Sequence, residues 1–254
     1  MRRTTAPECL IRGLWQVDCL FRPNPQERLF NYVFILAQTV LQGAAYRFSG
    51  RLDTADLIKL VGRNYLELHL QDRSLELAIL DSINAAFRSE PSLGVQLTGN
   101  AIQKAKDRAY IVTNEAIQLG SAVSGRPLRV VNVGAVGNIV ATLRERGCDV
   151  QVTDMDSDLI GKKVAGVDVV NGELSPELVS NCDVAVITGM TLCNGTIDSL
   201  LAAARAGNTK TILFAETGSS FAEFFIDAGI DCVVSEPFPF YIFQGVSNIL
   251  VYRR

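Results

Sequence analysis

The stretch Val184-Ala-Val-Ile-Thr188-Gly-Met-Thr-Leu-Cys193-Asn-Gly-Thr-Ile-Asp-Ser-Leu-Leu201 decides the reading of the chain. It opens with a β-branched run that suits a buried strand, breaks at Thr188-Gly189, and passes through Thr191, Asn194, Gly195 and Thr196. It closes in an apolar periodic segment, Ile197, Leu200, Leu201 and Ala204, with helical spacing. Strand, polar turn, helix is the unit of an open α/β sheet. Ligands of such sheets gather where strand carboxyl ends meet helix amino ends. Unpaired N–H groups and the helix dipole at that point favour an anionic or strongly polar ligand. Capping by Asn194 or Thr196 would account for one polar residue here. It accounts less well for Thr188, Thr191, Asn194 and Thr196 within nine positions.

Working outward, the same unit recurs from residue 128 to the end. Residues 128–133 read as a strand, 134–137 as a turn and 139–146 as a helix. Residues 149–153 form the next expected strand, ending in Asp154-Met-Asp156. Further strands are expected at 167–170, 183–188, 211–215, 230–234 and 248–252, and helices after Asn194 and over 221–228. A helical turn at 176–180 would be capped by Ser175. Strands and helices alternating in this way imply β-α-β crossovers and a mostly parallel, Rossmann-like sheet.

Upstream, the periodicity changes. Residues 29–36 and 40–48 are strand-like and suggest a hairpin or meander. Gly43-Ala44-Ala45 within the second run allows close approach of a ligand or tight packing against a helix. Asp53 suits the N-cap of a helix through Leu57 and Leu60, and a second helix is expected from about Ser74. Glu76 and Asn84 share one side of it, placed to reach a cleft if that side meets the rest of the chain. Residues 91–100 read as a linker and 101–119 as a long helix ended by Gly120. Residues 1–28 read as irregular, punctuated by Pro7, Pro23 and Pro25, with Leu14, Trp15, Val17 and Leu20 open to a short helix or a strand. The expected division is thus an irregular segment 1–28, an α+β domain 29–97, a connecting helix and linker 98–126, and a Rossmann-like domain 127–254.

Composition narrows the function classes. The chain has 254 residues, enough for two domains. A net charge of −3 leaves no electrostatic footprint for nucleic acid. No apolar run reaches the roughly 18 residues of a membrane span, and no signal-peptide core is present. The six cysteines make no C-x-x-C pair, so free thiols and a cytoplasmic address are expected. His69 is the only histidine, which leaves little for a zinc site.

Three sets of residues could carry chemistry. Gly134-Ala-Val136-Gly137 resembles a dinucleotide turn, although it spells G-x-x-G, and Asp154 lies where a Rossmann acid bonds a ribose hydroxyl. Glu216-Thr-Gly-Ser219-Ser repeats the design of the 188–196 loop and would converge on the same crevice, with Glu216 as carboxylate or general base. Cys193 precedes a helix start, where a thiol's pKa falls.

The run 187–201 also resembles the signature of the putative heavy-metal chelation domain family, and Gly134-Ala-Val-Gly137 fits the turn that opens that domain. Leu75-Glu-Leu-Ala-Ile-Leu-Asp-Ser-Ile-Asn-Ala-Ala86 is similar to a helix of its usual N-terminal partner, a small α+β domain like the enolase N-terminal domain. Glu216-Thr-Gly-Ser-Ser220 departs from the Gly-Pro-Ser-Thr-like residues of that family. The resemblance implies a site in the cleft between two domains, a role in handling metal ions or chelators, and a homodimer. On this reading the chain binds a small anionic or metal-chelating ligand, as an enzyme of metallophore biosynthesis or a protein of metal homeostasis. Gly134, Val136, Gly137, Thr188, Gly189, Thr191, Asn194, Gly195, Thr196, Glu216 and Ser219 would line the site, and Glu216 or Glu76 would be catalytic. Two other readings stand beside it. One is an enzyme using S-adenosylmethionine or NAD, with Asp154 on the ribose. The other is a module holding a divalent metal directly through Asp154, Asp156, Glu216 and Cys193.

Overall fold

A computed structural model describes residues 9–22, 30–47 and 50–254. Its elements in chain order are β1 (Gly13–Phe21), β2 (Phe30–Gln38), β3 (Gln42–Arg47), α1 (Thr54–Ile58), α2 (Arg73–Asn84), β4 (Leu93–Leu97) and α3 (Ala101–Leu119). They continue with β5 (Arg129–Val133), α4 (Gly137–Glu145), β6 (Asp149–Asp154), β7 (Lys163–Val164), β8 (Val167–Asn171) and α5 (Ser175–Ser180). Last come β9 (Val184–Thr188), α6 (Met190–Asn194), α7 (Ile197–Gly207), β10 (Lys210–Ala215), α8 (Ala222–Asp227), β11 (Cys232–Ser235) and β12 (Ser247–Arg253).

Among the described residues the strands form two sheets. The large one runs β4-β12-β11-β10-β9-β5-β6-β8-β7. Its centre, from β11 to β8, is parallel, while β12, β4 and β7 pair antiparallel. Helices cover both faces, so neighbouring residues of one strand go to opposite cores. Val130 joins Ala109, Val112 and Ile139 beneath α3 and α4. Val131 joins Val179, Leu200 and Ala204 beneath α5 and α7. Burial on both faces is why these strands read as continuous apolar runs. The chain runs outward from β5 to β6 and β8, then returns to β9 on the other side of β5. The β5–β9 boundary is therefore the switch point of the sheet.

The small sheet, β1-β2-β3, is antiparallel. One face packs on α2 through Ile35, Ala45, Ala78 and Ile79. The other packs Phe34 and Tyr46 on Phe240, Tyr241 and Ala105. Asp72 caps α2, accepting from Leu75 N at 2.9 Å. Buried Asp81, on α2, joins the two halves by accepting from Ala44 N (3.1 Å) and Ser220 N (2.8 Å). Burial raises its pKa, and these hydrogen bonds to its charged form oppose the rise.

Of the two roles open to Gly43-Ala44-Ala45, the structure shows packing against a helix. A Cβ on Gly43 would collide with the backbone of Ser82 and lie 2.6 Å from Ala78 O. Both are backbone atoms of α2, which cannot step aside as a side chain would. Gly43→Ala is expected to cost about 1–3 kcal/mol by overpacking, measured by urea unfolding. Wild-type stability in this variant would mean that α2 does not sit this close to β3.

Several expectations need correction. Of the helix and strand open to Leu14–Leu20, the structure shows the strand, and it is longer than a short insert in an irregular segment: residues 13–21 form β1, paired with β2 along its length. Residues 1–8 and 23–28 of that segment lie outside the described residues. Residues 93–97 are not a linker but an edge strand of the large sheet. Ser175 does not cap α5. It is the first residue of that helix, and its Oγ donates to Thr153 Oγ1 at 2.8 Å. The six cysteines are free. No helix of the described residues is long and apolar enough to cross a membrane.

Candidate functional site

A cavity of about 290 Å³ opens at the carboxyl ends of β5, β6 and β9, against the switch point. Its first wall is the turn after β5. Gly134 takes φ +86°, and a Cβ there would collide with the Thr188 methyl group, so the turn needs both the freedom and the smallness of glycine. The turn is tied to the neighbouring strand. Gly134 N donates to Thr153 O (2.9 Å) and Ala135 N donates to Asp154 Oδ2 (2.8 Å). Asp154 Oδ1 also accepts from Asp156 N at 2.9 Å, which fixes the carboxylate from both sides.

The second wall follows β9. The expected polar turn contains the one-turn helix α6, and Thr191 Oγ1 donates to Thr188 O at 2.7 Å. Gly195 then takes the left-handed conformation, φ +76°. Asn194 Oδ1 accepts from both Thr196 N (3.1 Å) and Thr196 Oγ1 (2.7 Å). The third wall comes from the segment after β8, through Gly172, Glu173, Ser175 and Pro176, and Met155 and Met190 add thioethers. Asp154 and Glu173 are the carboxylates of the lining, and it includes no Lys, Arg or His.

Of the residues expected from the sequence, the structure brings Gly134, Asp154, Thr188, Thr191, Asn194 and Thr196 to this cavity. It does not bring the others. Val136 precedes α4, with its N–H on Asn132 Oδ1 at 3.2 Å, and Gly137 opens that helix facing Val164. Gly189 packs under the 216–220 loop, where a Cβ would sit 2.8 Å from Thr217 O. Gly195 turns toward Arg73. Ser219 is buried, its hydroxyl 3.3 Å from Asp81 Oδ2. Glu76 accepts from the Tyr65 hydroxyl (3.1 Å), and Asn84 Nδ2 donates to Ser220 O (2.7 Å). The two polar loops are neighbours, but they pack on one another instead of sharing one crevice. Thr153, Met155, Glu173 and Ser175 were missed as lining residues. Recognising that β8 must lie beside β6 would have pointed to the segment that follows it.

Glu216 belongs to a separate, buried cluster. Arg108 of α3 places Nη1 2.6 Å from Glu216 Oε1 and 2.9 Å from Glu236 Oε2. Its guanidinium carbon lies 3.6 Å from the centre of the Tyr241 ring. Glu236 also accepts from Tyr241 N and Ser247 Oγ, both at 2.6 Å. One cation thus faces two carboxylates. Burial, reinforced by Glu236 and opposed by Arg108, pushes Glu216 up to about 7. Burial works against the charge on Arg108, but Glu216 and Glu236 outweigh it and hold its pKa above the usual value. Tyr46 is also pushed well above its ordinary range, first by burial and then by Glu216.

Cys193 does not have the lowered pKa expected of a thiol before a helix. Burial raises it, and its Sγ donates to Tyr46 O at 2.9 Å. Cys193 and Glu216 are not among the residues that line the cavity with Asp154, so the expected direct ligands do not form one set. Among the described residues, no group of three or more His, Cys, Asp or Glu side chains could hold a metal ion.

The sequence profile of the putative heavy-metal chelation family matches residues 122–235, which hold the glycine turn, Asp154 and the 188–196 loop. Residues 122–235 match the putative heavy-metal chelation domain. A solved protein of unknown function from this family, from Desulfitobacterium hafniense, matches at 14% identity and a TM-score of 0.56, over 87% of each chain. Another, from Pyrococcus horikoshii, matches at 15% identity and a TM-score of 0.53, over 95% of this chain and 93% of that one. At such identities the likeness is one of fold, and it extends well beyond the matched domain. No curated protein matches the chain.

Proposed function

We propose that the switch-point cavity of the heavy-metal chelation domain binds a metal ion together with its chelator. One observation carries this reading: Asp154 and Glu173 line the cavity with no cation among the lining residues. An uncompensated pair of carboxylates favours a ligand with positive or hydrogen-bond-donating character over a bare anion. Two carboxylates and weak thioethers are too few for a bare ion, which takes four ligands as zinc and six or more as calcium. A metal that arrives with donor atoms from a small chelator needs only the remainder, and the Thr and Asn groups of the 188–196 loop suit the polar arms of such a molecule.

The test is calorimetric titration of the full chain with nickel(II) citrate and with nickel(II) alone. The citrate complex is expected to bind more tightly. Glu173 is exposed, so Glu173→Gln leaves the fold intact, and it should weaken binding roughly tenfold through loss of one charge-assisted contact. Equal affinity in wild type and Glu173→Gln would place the ligand elsewhere.

A second reading is favoured by the position of Asp154 at the end of the strand after the glycine turn. In Rossmann-type sheets that acid bonds a ribose. Titration with adenosine and S-adenosylmethionine separates the readings, because binding of either in the absence of metal would favour a nucleoside cofactor.

A further inference from the structure

The cavity wall has no cation, but one lies beside Gly195, the residue between two members of that wall. Arg73, the first residue of α2, lies against the turn that joins Asn194 to Thr196, both in the cavity wall. Its Nη1 sits 3.2 Å from where a Cβ on Gly195 would be. Gly195 is left-handed and carries no side chain, so the backbone is bare where the guanidinium crosses it. Arg73 is exposed, and among the described residues no carboxylate lies within ion-pair distance of it. The acids nearest in sequence are engaged. Asp72 pairs with Arg47 at 2.8 Å while its other oxygen caps α2, and Glu76 accepts from Tyr65. A planar, permanently charged fork is thus placed beside the Asn194–Thr196 turn of a carboxylate-lined cavity by an element from outside the matched domain.

Building on the cavity as the binding site, we propose that Arg73 is a specificity-determining residue that recognises an anionic group, a carboxylate or a phosphate, on the bound ligand. The ligand would be bipolar. Its metal or hydroxyl end faces Asp154 and Glu173, and its anionic arm leaves past Asn194 and Thr196 to the guanidinium. The fork of Arg matches both kinds of oxyanion by paired N–H donors, which Lys offers only as a point charge. It also gives α2 a part in a site whose lining comes entirely from residues 133–200.

The test uses four probes in two pairs, each pair differing in an anionic arm: nickel(II) alone and nickel(II) citrate, adenosine and adenosine 5′-monophosphate. Wild type, Arg73→Gln and Arg73→Lys of the full chain are titrated with each. Arg73→Gln is expected to lower affinity for the anionic member of the binding pair about tenfold or more, and to leave its partner probe unchanged. Arg73→Lys should recover part of the loss. A response in the citrate pair assigns the carboxylate, and a response in the nucleotide pair assigns the phosphate. Wild-type affinity of Arg73→Gln for an anionic probe that Glu173→Gln binds poorly would overturn the role of Arg73 and leave the cavity standing. Undiminished binding by Glu173→Gln would instead overturn the cavity. Binding of none of the four probes by wild type would overturn both.

Discussion

Arg108→Met is expected to destabilise the protein by about 3–5 kcal/mol at pH 7, because it leaves two buried carboxylates facing each other with no cation between them. Met is a long apolar side chain that can fill the space beside the Phe214 and Tyr241 rings, which the Arg108 guanidinium carbon meets at 5.0 and 3.6 Å, so the loss reports the charge rather than the volume. Glu236 is fully buried and cannot turn to water. The midpoint of thermal unfolding should fall by roughly 10 °C for a chain of this size. The deficit should shrink in acid, where the abandoned carboxylates take up protons. A deficit below about 1 kcal/mol, or one independent of pH, would mean that the Arg108 cluster is solvated and that its geometry does not govern stability.

The second large effect is a dependence on pH that one substitution removes. Glu216 rises from the ordinary 4.5 to about 7 in the folded protein. Between those values the folded state keeps a proton that the unfolded chain has lost. The contribution is therefore fully present below pH 4.5 and is lost as pH rises through 7. Glu216→Gln keeps an acceptor for Arg108 and has no proton to lose. Wild type should lose stability relative to Glu216→Gln by on the order of 2–3 kcal/mol between pH 4.5 and pH 8. Urea unfolding of both proteins across that interval measures the difference, in which the other titrating groups cancel. Parallel curves would show that Glu216 is ionised throughout and that the cluster binds its proton elsewhere.

The parts legible in the sequence are those set by short-range pattern. The parallel strands were readable because burial on both faces leaves mostly apolar, largely β-branched residues between turns. The helix at 101–119 was readable because Ala105, Ala109, Val112 and Ala116 repeat at helical spacing and are all buried. The walls at Gly134 and 188–196 followed from the strand-turn-helix grammar alone. Strand β1 was not separable from a helix in the sequence because Trp15 and Leu20, on opposite faces, are exposed apolar residues, which blurs the alternation that marks a strand with one wet side. Strand β4 escaped because Gly94 and the flanking Pro91 and Gly99 read as a loop, and because its partner is the last strand of the chain. Glu216 reads as a crevice residue in the sequence and lies in the Arg108 cluster in the structure for a related reason. Its partner Arg108 is far away in sequence, and nothing local to either residue marks an ion pair.

The pairing of β4 with β12 has a consequence for how the chain is made. As the protein leaves the ribosome, the edge strand emerges before any part of the sheet it will join. Five parallel strand pairings can form behind it in order of synthesis, but residues 93–97 have no mate until the segment at 247–253 has been extruded. Until then their hydrogen-bonding edge is open to any passing strand. The final zipping of the sheet is thus a closure between distant stretches of polypeptide. It is the step at which a truncated or stalled nascent chain would be most exposed to aggregation or to capture by a chaperone.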